Sequence, residues 1–441
     1  MVSAGLPRGV KPYDWALRQL RVARAHETTR GDSAVVVAVI DLGYRHHPDL
    51  DGHLWVNPDP DASDRHGWDC ADDDASLEGG ADSDYARGHH VFVAGEVAAV
   101  APECPIMIVR VGYGRPDSWA KGIRYAVDRG ARVLVMPHGY LPGRGDTPLF
   151  YQGTDFSYPT DNPEIRRVLD DAYTAGCLTF RGTCDNRGRR ATFANSACDS
   201  VVAVGSTNRR DEPADICCDA DHVEIGAPGG QRGSDDERDR VWGCGGDENT
   251  IPFTGGCMAC GFAGGVAALA WSRFPDLSNE QLRMVLRNTA RPAKGVTPDA
   301  DGWEPRLGDG ILDAAKAVGL DETTLTRDAR VRPSRCRMVT ATELEVVVRN
   351  HGAFDAERVA VVIYNGDPTR PVDPKATMES PAAELQTKQI GHGILRARGL
   401  RETTTTIRLV ERPGPVAWAE TYCLDVHDEG NLHRARIKIA R

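Results

Sequence analysis

The sequence predicts an α/β protein built on a doubly wound parallel sheet, followed by a smaller all-β domain. Apolar runs with almost no alternation recur through the N-terminal part, and helix-like segments lie between them. After Ala317 the pattern changes to short β-type runs separated by Gly, Pro, Asp and Asn turns. At 441 residues and 41% hydrophobic content, the chain can fill one large core and a second, smaller one. Single cores seldom grow past about 250 to 300 residues.

The elements follow in order. Ser33 to Ile40, with VVVAVI at its heart, suits a strand buried on both faces, and it ends at Asp41. Further strands are expected at Ile106 to Val111, Val133 to Met136 and Val201 to Val204, with helices at Trp119 to Asp128 and Asn162 to Ala175. Ser278 followed by Gln281 before LRMVLRNTA makes a capping box at the start of an amphipathic helix. TELEVVVRN, RVAVVIYNG, TTTIRLVER and RARIKIAR then read as strands. Residues 1–320 are therefore expected to form the α/β domain, and residues 325–441 an immunoglobulin-like β-sandwich. The sandwich carries no catalytic cluster, which points to a binding, capping or dimerising module that meets a protein partner.

Charge and composition exclude several classes. Sixty-four acidic against 53 basic residues give a net charge of −11, without a basic track for a phosphate backbone, so nucleic acid is not an expected partner. The N-terminus MVSAGLPRGVKPYDWALRQLRV lacks an apolar run of signal-peptide length, and nowhere do about 18 uncharged apolar residues follow one another. A cytoplasmic protein with no membrane contact is the expectation. The 12 cysteines are scattered, include the adjacent Cys217 and Cys218, and do not resemble a small secreted disulfide framework.

Several blocks occur in a telling order: VVVAVIDLGYRHHPDL, HGWDCADDD, GHHVFVAGEVAA, VLVMPHG, EIGAPG, GGCMACGFAGG and GDGILDAAKAV. With them, residues 14–318 resemble the subtilase family, peptide hydrolases with an Asp-His-Ser triad on a subtilisin-like parallel α/β sheet. The resemblance implies that Asp41 is the triad carboxylate and His89 the triad histidine. It puts Cys257 where the family has serine. The family motifs HGTHVAG and GTSMASPHVAG are altered, so that His90 stands on a glycine and Gly256 on a threonine. The usual AAGN, whose asparagine amide serves the oxyanion, is replaced by FRGTCDNRG. Direct register puts Asp185 on that asparagine, and a slip of one residue presents Asn186. Pro137 and His138 replace a serine and a leucine of the substrate-binding edge, and proline supplies no N–H there.

Asp41, His89 and Cys257 would form a chemically sound relay. The carboxylate fixes the imidazole tautomer, the imidazole accepts the thiol proton, and the thiolate attacks a carbonyl. A helix N-terminus would help to lower the thiol pKa. An ionised Asp185 would oppose oxyanion formation, where an amide is worth about 3 to 4 kcal/mol. His90, bulkier than glycine, would crowd the cleft. Each residue also has a plainer reading: Asp41 as a turn residue, His89 as a satisfied structural histidine, Cys257 as a packing thiol. Cys257 and Cys260 form a CMAC that permits dithiol exchange, and Cys184 with Cys257 and His89 would be a thiolate–imidazole set for zinc. The acidic run Asp69 to Asp74 lacks the spacing of a calcium loop and would instead favour basic peptides at the cleft rim.

The reading that gathers most of these residues is a hydrolase of peptide or protein amides acting through a thioester, with no cofactor or metal. Its rival is a catalytically inactive peptide-binding or scaffolding protein of the same fold. Only 40 residues precede Asp41, which leaves no room for a long inhibitory propeptide.

Overall fold

The structure is a computed structural model that describes residues 11–78, 84–113, 115–138, 149–150, 162–183, 185, 191–192, 196, 198, 200–220, 222–245, 249–298, 303–320, 329–350, 356–365, 388–397, 402–413, 416–423 and 432–438. The chain divides into two compact units, one comprising Met1–Thr297 and Trp303–Gly319 and the other Pro298–Gly302 and Leu320–Arg441.

In the first unit seven parallel strands form one sheet. Its order is Gly67–Asp69, Ile106–Val111, Val36–Leu42, Ala131–Val135, Leu178–Gly182, Val201–Thr207 and Val223–Pro228. Every residue of Val36–Leu42 is buried, as the run without alternation requires. The chain builds outward from this strand in both directions, so the order reverses beside it. Ligands of open α/β sheets bind at the carboxyl ends of strands near such a reversal. Asp41, His138 and Asp185 all stand at or just beyond the carboxyl ends of three successive strands of this sheet.

Side chains alternate across a strand. Ala38, Ile40 and Leu42 join a core with Met107, Leu134 and Met136, covered by the amphipathic helices Pro116–Asp128 and Pro163–Thr174 through Trp119, Ile123, Ile165 and Leu169. Asp41 has the opposite parity and faces the other layer, where the helix Asp84–Val100 carries His89. The second helix of that layer, Gly256–Arg273, is apolar all round and buried from Met258 to Trp271. Glycines allow its close approach: a Cβ on Gly264 would lie 2.3 Å from Val135, and one on Gly182 would lie 3.0 Å from the Gly256 backbone. The capping box forms as the sequence suggests, with Gln281 N–H donating to Ser278 Oγ and Ser278 N–H donating to Gln281 Oε1.

Seven strands of the second unit form two antiparallel sheets. Leu344, Val346 and Ile407 from one sheet share a buried cluster with Val359, Val361, Ile363 and Ala419 from the other. Among the described residues no helix is long and apolar enough to cross a membrane. Among the described residues nine cysteines are free thiols, while Cys218 is disulfide-bonded.

Candidate active site

The Val36–Leu42 strand delivers Asp41 into a fully buried position. One carboxylate oxygen accepts from the Leu42 N–H at 2.8 Å, and the other lies 2.7 Å from Nδ1 of His89. Burial opposes ionisation of Asp41, but the facing imidazoles of His89 and His138 outweigh it and hold the carboxyl below its ordinary value. An ionised Asp41 can only accept, so Nδ1 of His89 carries the proton and Nε2 presents its lone pair. That Nε2 is buried and has no hydrogen-bond partner among the described residues. Tyr85, Phe253 and His138 wall the ring, with His138 closest at 4.2 Å between centroids.

His90 does not enter the cleft. Its ring is fully buried, with Nδ1 toward the Gly43 carbonyl, Nε2 3.2 Å from the Val39 carbonyl, and an edge against Tyr44. Consecutive helix residues point about 100° apart, which is why the neighbour of His89 anchors to backbone instead of crowding the site.

Cys257 occupies the first turn of the Gly256–Arg273 helix and is half-buried. Its thiol donates to the Pro137 carbonyl at 3.2 Å. A ring nitrogen of His89, one of His138 and the sulfur of Cys257 all lie within 4.8 Å of one another. The expected lowering of the thiol pKa by the helix terminus does not prevail. Burial, followed by the Asp185 carboxylate, pushes the Cys257 thiol well above its ordinary value. Cys260 points elsewhere, donating to the Gly256 carbonyl at 3.1 Å.

Asp185 caps this helix. Gly255 has no side chain to accept from the helix start, and Oδ1 of Asp185 takes the Gly256 N–H at 2.8 Å instead. Its other oxygen pairs with Arg232 at 2.8 Å. Burial nevertheless raises the Asp185 carboxyl above its ordinary value. Asn186 and Cys184 lie outside the described residues. Sequence reasoning missed Arg232, which is separated from Asp185 by 47 positions and belongs to no recognisable block. The acidic run is partly paired: Asp69 and Asp72 share Arg110, Asp73 pairs with Lys121, and Asp74 accepts the Ser76 N–H.

Arg181 is fully buried, its three guanidinium nitrogens lack hydrogen-bond partners among the described residues, and burial lowers its pKa to about 10. Glu96, on the His89 helix, is buried with both carboxylate oxygens likewise unpartnered among the described residues, and burial raises its pKa.

A parallel sheet with a buried Asp–His pair beside a strand end and a helix start opposite has the make-up of the subtilisin-like α/β fold. The family model described as the subtilase family matches residues 32–318, and the chain belongs to that family. Family membership supports a subtilase-type hydrolase activity. The chain is 25% identical over 320 residues to the thermostable alkaline protease of Halalkalibacterium halodurans, spanning 69% of this chain and 73% of that protein. It is 28% identical over 279 residues to mycosin-4 of Mycobacterium tuberculosis, spanning 55% of this chain and 59% of that protein. A solved protease of Pseudoalteromonas arctica has the same fold, with a TM-score of 0.54 at 24% identity over 70% of this chain and 99% of that one.

Proposed function

We propose that this subtilase is a peptide or protein amide hydrolase in which Cys257 is the nucleophile, His89 the general base and acid, and Asp41 the orienting carboxylate. The observation that carries the reading is the 2.7 Å Asp41–His89 bond, which leaves Nε2 as the acceptor, with a ring nitrogen of His89 within 4.8 Å of the Cys257 sulfur. The thiol proton would pass to Nε2 as sulfur attacks the carbonyl. The tetrahedral intermediate would then expel the amine, which takes that proton from His89, and water would hydrolyse the thioester.

The nucleophile needs this base, because burial alone holds the thiol protonated near neutral pH. The intermediate's oxygen would draw on the Cys257 N–H, which has no intrahelical acceptor in the first turn, and on the Arg232 guanidinium. Asp185 serves as a cap and ion-pair partner in this account. The second unit, as an immunoglobulin-like sandwich, would hold a protein partner. A cytoplasmic setting belongs to the same proposal: nine free thiols suit a reducing compartment, whereas the Cys218 disulfide favours an oxidising one.

The competing reading, a non-catalytic peptide binder, draws on the thiol's hydrogen bond to Pro137 and its raised pKa. Intact-mass labelling with a peptide-directed thiol electrophile across pH 6 to 9 separates the two. A hydrolase site gives rapid adduct formation that vanishes in C257A and slows in H89A. Labelling no faster than that of a free peptide thiol, and unchanged in H89A, would sink the hydrolase reading.

A further inference from the structure

Two departures from the family pattern, Cys257 for serine and His138 for leucine, bring metal-ligating atoms to the same place. We propose that His89, His138 and Cys257 form a binding site for a borderline-soft divalent cation of the zinc class, with a fourth coordination position left to water. The ligating atoms lie within 4.8 Å of one another. Tetrahedral zinc, with bonds of about 2.0 to 2.1 Å to nitrogen and about 2.3 Å to sulfur, needs them about 3.3 to 3.8 Å apart. Closure therefore requires movement on the order of 1 Å, within reach of side-chain rotation at half-buried His138 and Cys257.

The support around the cluster is that of a metal site. Asp41 Oδ2 holds Nδ1–H of His89 at 2.7 Å, which fixes the ring and directs the Nε2 lone pair away from the carboxylate. That Nε2 is buried with no hydrogen-bond partner among the described residues. Two imidazoles and a thiolate select zinc-class ions over magnesium or calcium, which prefer all-oxygen shells. On binding, Cys257 gives up its hydrogen bond to Pro137, its proton leaves to solvent, and a metal–sulfur bond forms. Metal occupancy and alkylation of Cys257 are then mutually exclusive, so the ion would act as a reversible cap on the nucleophile. The site depends on the geometry alone and not on the hydrolase reading.

Cobalt(II) titration of the full-length, chelator-treated protein tests this. The expected result is one equivalent bound with tetrahedral visible bands and a thiolate-to-cobalt charge-transfer band. C257S should lose that band, and H138L should weaken binding at least about 10-fold, with circular dichroism verifying that both variants are folded. An octahedral spectrum, or binding unaltered in both variants, overturns the proposal. Alkylation of the metal-free protein reports separately on the nucleophile: slow alkylation with an intact cobalt band would sink the hydrolase reading and leave the metal site standing, and rapid alkylation without the band would do the reverse.

Discussion

The Asp41–His89 half of the site and the Cys257–Asp185 half have diverged to different degrees. In the first half, a buried strand and a buried helix hold a carboxylate–imidazole pair at 2.7 Å, the carboxylate itself being held by the Leu42 N–H. In the second half, a thiol donates to a backbone carbonyl and a carboxylate caps the helix on which that thiol sits. The first half is arranged to hold and aim a proton. The second places a carboxylate beside the thiol. In the proposed mechanism the charge beside the nucleophile, and not the relay behind it, would limit catalysis.

Breaking the relay should have the largest effect. Asp41→Asn would let the wrong tautomer form and lower turnover of an activated peptide ester by about 10⁴-fold, read as kcat. Asp185→Asn acts on the other half: it keeps an acceptor for the Gly256 N–H while removing the charge that raises the thiol pKa. It should raise kcat/KM by about 100-fold and shift the pH profile of Cys257 alkylation downward. A variant no more reactive than wild type would mean that Asp185 is not what restrains the nucleophile.

Stability effects come next. Replacing the buried Arg181, whose guanidinium has no hydrogen-bond partner among the described residues, by Met should stabilise the fold by about 1 to 4 kcal/mol in urea unfolding. Removal of the capping box by Ser278→Ala should cost about 1 kcal/mol. The pH dependence follows from Asp41. Its folded-state pKa is depressed, so its stabilising contribution is complete above the ordinary carboxylate range and disappears as pH falls through the lowered value. The difference in thermal midpoint between wild type and D41N should accordingly shrink below about pH 4.

The strongest sequence signals were those set by local packing. The Val36–Leu42 strand announced itself because both its faces are covered, and the Ser278 box was visible as residue types at fixed spacing. The strand Leu178–Gly182 was harder to read because Arg181 interrupts its apolar run, although the residue is buried. Glu224 similarly obscures Val223–Pro228, its charge answered by Arg283 and Arg287 on a helix distant in sequence. Ordered motifs singled out Asp41, His89, Cys257 and Asp185, which the fold brings close together. They carried no information about Arg232, about the backbone anchorage of His90, or about which effect would win at Cys257. Those outcomes depend on contacts across the fold, where burial outweighs a helix-end field of a few tenths to about 2 kcal/mol.

The apolar Gly256–Arg273 helix is enclosed on every side, with glycines where it meets the strands and the His89 helix. A rod packed at crystal-like density cannot slide to accommodate a larger atom without opening voids elsewhere. At its first turn the Cys257 sulfur meets the Pro137 carbonyl, just beyond a strand end. A larger group there would have to be accommodated by the strand tip, because the helix itself has no room to shift.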